Sequence, residues 1–509
     1  MSTSGVARRH ARLLPAFLLA LVALGAPVVA AQAATTEPLP LPAGWHLTAS
    51  HTLGRGAEHF VLTRADGPIA AHVVRAARNS LALQAVVSHD RIAGPSAAGE
   101  RTSAMCARFG CIAAVNADFA RVPTDQPVGA VVSAGRILRS PVGTHHQFSV
   151  GWGPLMSIGV LEWNARLVSS DLRELSIAGL NDRNVGTGVV IYTPAWGASL
   201  PVGANYTNLV VRLGGGVGEL VPATTTPVEL VELLTGVEQV ALASGSAVLS
   251  ATSEAGLALQ DLWQRANDGT ASRHALVRVD LGPDAKDSVG GTPVLVRDGR
   301  AWVQNDGTGF VSGRHPRTAV GWDAAGRVLM VTVDGRQPGH SIGMTLPELA
   351  GLLVGIGAVE ALNLDGGGST TMVVGNSVVN LPSDRLVRRG GTELLTHLVT
   401  PGDQVLGNVE RPVSVGLLLI PFEPVGAPAT ASTTRQDPME GQLLTLPETR
   451  ELALALPAGD PGSLPAAGGH AALLVASAPR ATSGLTGGWV LVALTLQLVI
   501  GAAAARRLT

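Results

Sequence analysis

The chain has 509 residues with 36 Lys+Arg against 38 Asp+Glu, a formal charge of −2, and no basic stripe along any predicted helix. That balance argues against a nucleic-acid partner. Lys286 is the only lysine, and the abundance of Ala, Gly and Val beside arginine suggests GC-rich bacterial coding.

Residues 1–33 combine Arg8, Arg9 and Arg12, an apolar run from Leu13 to Leu24, and Ala31-Gln32-Ala33. That order predicts a cleavable secretory signal, and Ala11-Arg12 after the arginine pair fits the general route better than the twin-arginine one. A β-rich segment is expected over 34–99, followed by a main domain over 100–425. Glu100 to Phe109 reads as a helix stopped by Gly110, and Cys111 to Val115 as a strand delivering Asn116, Asp118 and Phe119. Cys106 and Cys111 are the only cysteines, and their spacing is not that of a CxxC redox or zinc site. In an exported chain a local disulfide is the better reading, two separate buried thiols the alternative. The adjacent His145 and His146 have no matching ligand cluster and are expected on the surface or in the core.

The most legible stretch is 327–379. Val328 to Val333 is an apolar, β-branched run that ends on Asp334, as a buried strand would. Thr345-Leu346-Pro347-Glu348 has the form of a capping box, and Leu346, Leu349, Leu352, Leu353 and Ile356 then share one apolar face of a helix stopped by Gly357. Val359 to Leu364 predicts a second strand ending on Asp365. Gly366-Gly367-Gly368-Ser369 follow, and Gly375-Asn376 predicts a hairpin. A helical crossover makes its two strands parallel, so Asp334 and Asp365 are expected at one sheet edge, where open sheets bind ligands. The fold class expected is α/β (α+β): a mixed, β-rich sheet core with helical crossovers and the active site at the carboxyl ends of strands.

The glycines after Asp365 let backbone approach a ligand closely, and successive N–H groups there could form an anion nest. No HExxH helix, Walker loop or EF-hand loop is present. Gly339-His340-Ser341-Ile342-Gly343 matches Gly-x-Ser-x-Gly, but several loop residues separate it from the preceding strand, so an ordinary glycine-bounded loop fits better than a nucleophile elbow. Residues 426–484, rich in Pro, Ala and Gly, read as a stalk. Leu485 to Ala505 carries no charge, is long enough as a helix to span a bilayer, and is followed by Arg506-Arg507. A single-pass anchor at the cell membrane is expected, with an extracytoplasmic catalytic domain and a cytoplasmic tail at 506–509.

Arg317-Thr318-Ala319-Val320-Gly321, Asp334-Gly335 and Asn363-Leu364-Asp365-Gly366-Gly367-Gly368-Ser369, in that order, resemble the phosphodiester glycosidase family. The likeness extends to Asn116-Ala117-Asp118-Phe119, Asn181 with Arg183, Tyr192-Thr193-Pro194, Pro382-Ser383-Asp384 and Arg411-Pro412-Val413-Ser414. Ala117 replaces the family's usual glycine, 205–288 aligns poorly, and 386–409 looks inserted.

The resemblance implies hydrolysis of a sugar 1-phosphodiester at its glycosidic bond, releasing sugar and a phosphate monoester. Such a site needs carboxylates for an oxocarbenium-like transition state and cationic groups or N–H groups for the leaving phosphate. Asp365 is the first choice for nucleophile or base, and Asp334, Asp118 or Glu348 for a second acid. Glu348 is already explained by its cap. Arg317, Arg183 and the Gly366 to Ser369 amides would clamp phosphate, while Asn116 and Asn363 would bind sugar hydroxyls. No cofactor is required and no metal site is assigned, and a divalent ion is neither required nor excluded. The rival readings are a catalytically silent module binding cell-wall carbohydrate or phosphate, and a structural scaffold. Aromatic residues at only 3% argue against a binder built on aromatic platforms.

Overall fold

Val328–Val333 is buried along its whole length, which for an apolar run means cover on both faces of the sheet. In the computed structural model, which describes residues 37–78, 81–93, 99–121, 124–182, 187–214, 219–282 and 285–422, this strand lies inside an eight-stranded sheet. The sheet order is 45–54, 57–64, 69–76, 328–333, 317–323, 358–363, 294–297 and 300–301. Every pairing in it is antiparallel. The fold is therefore strand-rich, with few helices, rather than a parallel α/β stack.

Arg317–Asp323 sits between Val328–Val333 and Ala358–Asn363 and is antiparallel to both, so those two strands run in the same direction. Helix Leu346–Gly355 joins them. Its capping box is complete: the Thr345 side chain accepts from the Glu348 amide, and Glu348 accepts from the Thr345 amide. Leu346, Leu349, Leu352 and Leu353 are its buried face.

The turn after Asp365 carries the chain into a second sheet, ordered 377–378, 372–374, 113–116, 415–421 and 81–87. Gly375-Asn376 closes the hairpin. Two backbone hydrogen bonds, Asp365 N to Ala117 O and Leu364 N to Thr318 O, pin the strand end between the sheets.

Residues 45–76, expected to stand apart from the main domain, supply three strands of the large sheet, with Ile69–Ala76 paired to Val328–Val333. The poorly aligning stretch from 205 to 288 forms much of a closed seven-stranded barrel built from strands between Asn164 and Asp280. That barrel has its own core of Leu167, Ile177, Leu209, Leu230, Leu249 and Val277, to which helix Ser253–Asn267 adds Leu259 and Leu262. The stretch from 386 to 409 folds as a small three-stranded sheet of Arg385–Arg389, Thr392–Thr396 and Gln404–Asn408.

Cys106 in helix Thr102–Phe109 is joined to Cys111 across the left-handed Gly110. Among the described residues no helix is long and apolar enough to cross a membrane. The expected signal, stalk, anchor and tail lie outside the described residues, as does Arg183.

Candidate active site

Asp365 leaves the end of Ala358–Asn363 and is buried. Burial pushes its carboxyl up to about 6, against the hydrogen bond from the Ser369 side chain and the charge of Arg411, while the nearby Asp118 raises it further. A buried carboxyl shifted in this way beside charged partners makes Asp365 a candidate for the chemistry of the site. Asp118 arrives from the other sheet. Its carboxylate accepts from the Gly129 amide at 2.6 Å and pairs with His145 at 3.2 Å. His145 is buried and coupled to an acidic residue, a role its sequence neighbourhood did not signal.

Two of the four amides expected in an anion nest are used inside the protein. Gly367 donates its amide to Pro316 O, and Ser369 donates to Gly366 O, so the turn spends these N–H groups on itself and its neighbour. What the glycines provide is room. A Cβ on Gly367 would meet the Arg336 guanidinium at 3.1 Å, and one on Gly368 would collide with Arg411 and Asp384. Positive charge therefore comes from two arginines packed over a bare turn.

Arg336 follows Asp334-Gly335 with a left-handed backbone, φ 60°, unusual for a residue with a side chain. Its Nη1 is buried without a hydrogen-bond partner, and its nearest carboxylates, Asp384 and Asp365, do not close an ion pair with it. Arg411 is fixed by Asp384, with Nε and Nη2 each 2.6 Å from Oδ2. The other oxygen, Asp384 Oδ1, is buried and unpartnered. His315 and His397 complete the rim. Burial and then the charges of neighbouring arginines lower both, His315 to about 4.

Two expected ligands and one expected acid are occupied elsewhere. Asn116 is fully buried, donating to Asp365 O at 2.6 Å and accepting from the Thr318 hydroxyl and the Thr371 amide. It clamps the strand end and has no group left for a sugar. Arg317 donates to the carbonyls of Met344, Phe310 and Gly313, which ties it to the backbone rather than to a phosphate. Asp334 accepts from Asn380, the Leu381 amide and His340, so its carboxylate organises the 380–381 segment. Parallel strands bring Asp334 and Asp365 to one edge, but the groups whose charges act on Asp365 are Arg411 and Asp118.

Ser341 donates to Asp334 O and accepts from the Ala70 amide, which is the behaviour of a structural loop serine. Glu348 is held in its cap beside Arg314. Asn181 bonds Leu138 and Thr193. Asn363 keeps one group available: its Nδ2 donates to Thr292 O, and its buried Oδ1 has no partner.

Among the described residues no group of three or more His, Cys, Asp or Glu is placed to hold a metal. A separate depression on the barrel, lined by Tyr192, Leu200, Tyr206 and Ser250, contains none of these charged groups.

Residues 238–396 match the family of phosphodiester glycosidases. The chain is 38% identical over 95 residues to the N-acetylglucosamine-1-phosphodiester alpha-N-acetylglucosaminidase of Bos taurus, covering 17% of this chain and 18% of that protein. A prophage-derived protein of Bacillus subtilis is 37% identical over 75 residues, 15% of this chain and 12% of its own length. The matched stretch is thus less than a fifth of either relative. A solved structure of a hypothetical protein from Synechocystis superposes with a TM-score of 0.53 at 19% identity, covering 75% of this chain and 69% of that one. One from Burkholderia pseudomallei K96243 gives 0.53 at 18% identity, covering 76% and 99%. These two structures share the fold.

Proposed function

Starting from a chain that carries a phosphodiester glycosidase domain over residues 238–396, we propose that it hydrolyses the glycosidic bond of a sugar 1-phosphodiester of the cell envelope. Water supplies the hydroxyl that bonds to the anomeric carbon, the C–O bond to phosphate breaks, and the phosphate monoester leaves with the bonding pair. The observation that carries this reading is the meeting of buried Asp365 and Asp118 with the Arg336–Arg411 pair across the Gly366–Ser369 turn.

A phosphate monoester is already a good anionic leaving group, with a second pKa of about 6, so the reaction asks little of a general acid. It asks for charge stabilisation on both sides of the breaking bond. Arg336, whose Nη1 has no protein partner, presents a donor to the phosphate, and Arg411 adds charge beside it. Asp365, ionised, attacks the anomeric carbon or deprotonates the water that does, and Asp118 is the second carboxylate. The unpartnered oxygens of Asn363 and Asp384 accept from sugar hydroxyls. Asn116, Arg317 and Asp334 become the frame that holds these groups. The exported, membrane-anchored location expected from residues 1–33 and 485–505 is part of the same proposal.

The test is turnover of a chromogenic N-acetylglucosamine 1-phosphodiester by the wild-type chain and by Asp365→Asn. The reading predicts release of chromophore-bearing phosphate and free sugar by the wild type alone. Binding of the diester without release by either protein would replace the hydrolase with a silent binding module.

A further inference from the structure

Asp118 packs against a sheet ordered Met156–Val160, His146–Val150, Asp287–Gly291, Val131–Ser133 and Arg136–Arg139. The Gly129 amide and the His145 ring take its two oxygens, and a Cβ on Gly290 would come within 2.5 Å of Oδ1. That amide belongs to the Val128–Gly129 peptide, and the carbonyl of the same peptide accepts from Arg139 Nη1. Nη1 also donates to Gly129 O at 2.9 Å, while Nη2 meets Asp182 Oδ2 at 2.6 Å. One hydrogen-bonded line therefore runs from Asp182 through Arg139 and a single peptide group to Asp118, each bond polarising the next.

Arg139 and Asp182 are both fully buried, and a pair so placed commonly stabilises a fold no better than apolar residues of similar volume. Arg139 Nε is buried as well and has no hydrogen-bond partner among the described residues, which costs stability. The charge lies where Asp118 can use it. Burial lowers the Arg139 guanidinium to about 10, against the charge of Asp182, which leaves it protonated at neutral pH. Asp182 Oδ1 is also 3.3 Å from Arg121 Nη1, so the two arginines and one carboxylate together hold one positive charge, and Asp118 is the other carboxylate whose charge acts on Arg139.

We propose, on the basis of the hydrolase reading above, that Arg139 is a positioning residue for Asp118. It touches no substrate and, braced by Asp182, sets the Val128–Gly129 peptide that aims the Asp118 carboxylate and stabilises its charge.

The experiment measures kcat and KM on the chromogenic N-acetylglucosamine 1-phosphodiester for Arg139→Lys and for Arg139→Met/Asp182→Asn, the latter removing both buried charges together. Each is made in the wild-type chain and in Asp118→Asn, and the melting temperature reports folding. Lysine keeps the charge without the planar fork, so kcat should fall about tenfold there and about a hundredfold in the double variant, with KM unchanged. In the Asp118→Asn background the same substitutions should change kcat by less than about threefold, because the group through which they act is gone. Equal losses in both backgrounds, a loss confined to KM, or an undiminished kcat in a folded variant would each overturn the proposal and leave the hydrolase reading intact. Unfolding of both variants would also overturn it, by assigning Arg139 to the frame. A wild-type chain that does not cleave the diester would remove both readings.

Discussion

In the proposed hydrolysis Asp365 carries the chemistry, in one carboxyl group whose burial makes ionisation difficult. If the ionised form does the work, kcat/KM should fall as pH drops below about 6, the value to which burial lifts this group. Removing a neighbouring like charge makes ionisation easier, so Asp118→Asn should move that acidic limb to lower pH even as it slows turnover. Stability has its own sign. The folded state holds the Asp365 proton up to about 6, whereas an unfolded carboxyl releases it near 3.8, so this group withdraws stability as pH rises through that window. Asp365→Asn should therefore abolish turnover by several orders of magnitude and still melt no lower than wild type at pH 7, as calorimetry can verify. Arg336→Gln should leave the fold intact and cost turnover strongly, because Nη1 has no partner and Nη2 makes only a 3.5 Å contact with His315 Nδ1. At this scale the sequence was only partly readable. Asp365 and Asp334 stood out as acids at strand ends, with Asp118 just past another, but Arg336 lies over the turn because Gly367 leaves room for it, a relation that spans thirty-one positions and shows no local pattern. Asn116 and Arg317 looked like ligands and Asp334 like a second acid, since a sequence does not show which carbonyl or amide a buried polar group will find.

Local elements were the most legible. The capping box at Thr345, the apolar strand 328–333 and the Gly375-Asn376 hairpin all depend on neighbours within a few residues, and each is present. The pairing of Ile69–Ala76 with Val328–Val333 joins segments about 260 positions apart and left no sign in either sequence. That same sheet carries a row of imidazoles. His59 and His72 are buried and joined by a 3.0 Å hydrogen bond, and His51 stacks on His59. Burial first, and neighbouring imidazoles second, lower both His59 and His72 from 6.5 to about 4. Between those pH values the unfolded chain binds more protons than the folded one, so stability should fall as pH is lowered from 6.5 towards 4. A His59→Gln/His72→Gln protein should show a flatter melting temperature across that range. An unchanged slope would place the acid sensitivity elsewhere.

For the whole molecule, the Asp365 turn leads from the large sheet into the second one, and the barrel and the 385–408 strands form separate sheets. A chain ended just after Pro421 retains the strand that pairs with both Leu81–Val87 and Ala113–Asn116, so it should be secreted folded and soluble. Its persistence in the membrane fraction would contradict an anchor confined to residues 485–505.

The central claim is that the bond broken lies between sugar and oxygen, and hydrolysis in heavy-oxygen water tests it most directly. With Asp365 serving the anomeric carbon and the arginines holding the departing phosphate, mass spectrometry should find the phosphate monoester unlabelled and the heavy atom on the released sugar. Heavy oxygen in the phosphate monoester would mean that phosphorus is the atom attacked, and would contradict the assignment of every residue in the site.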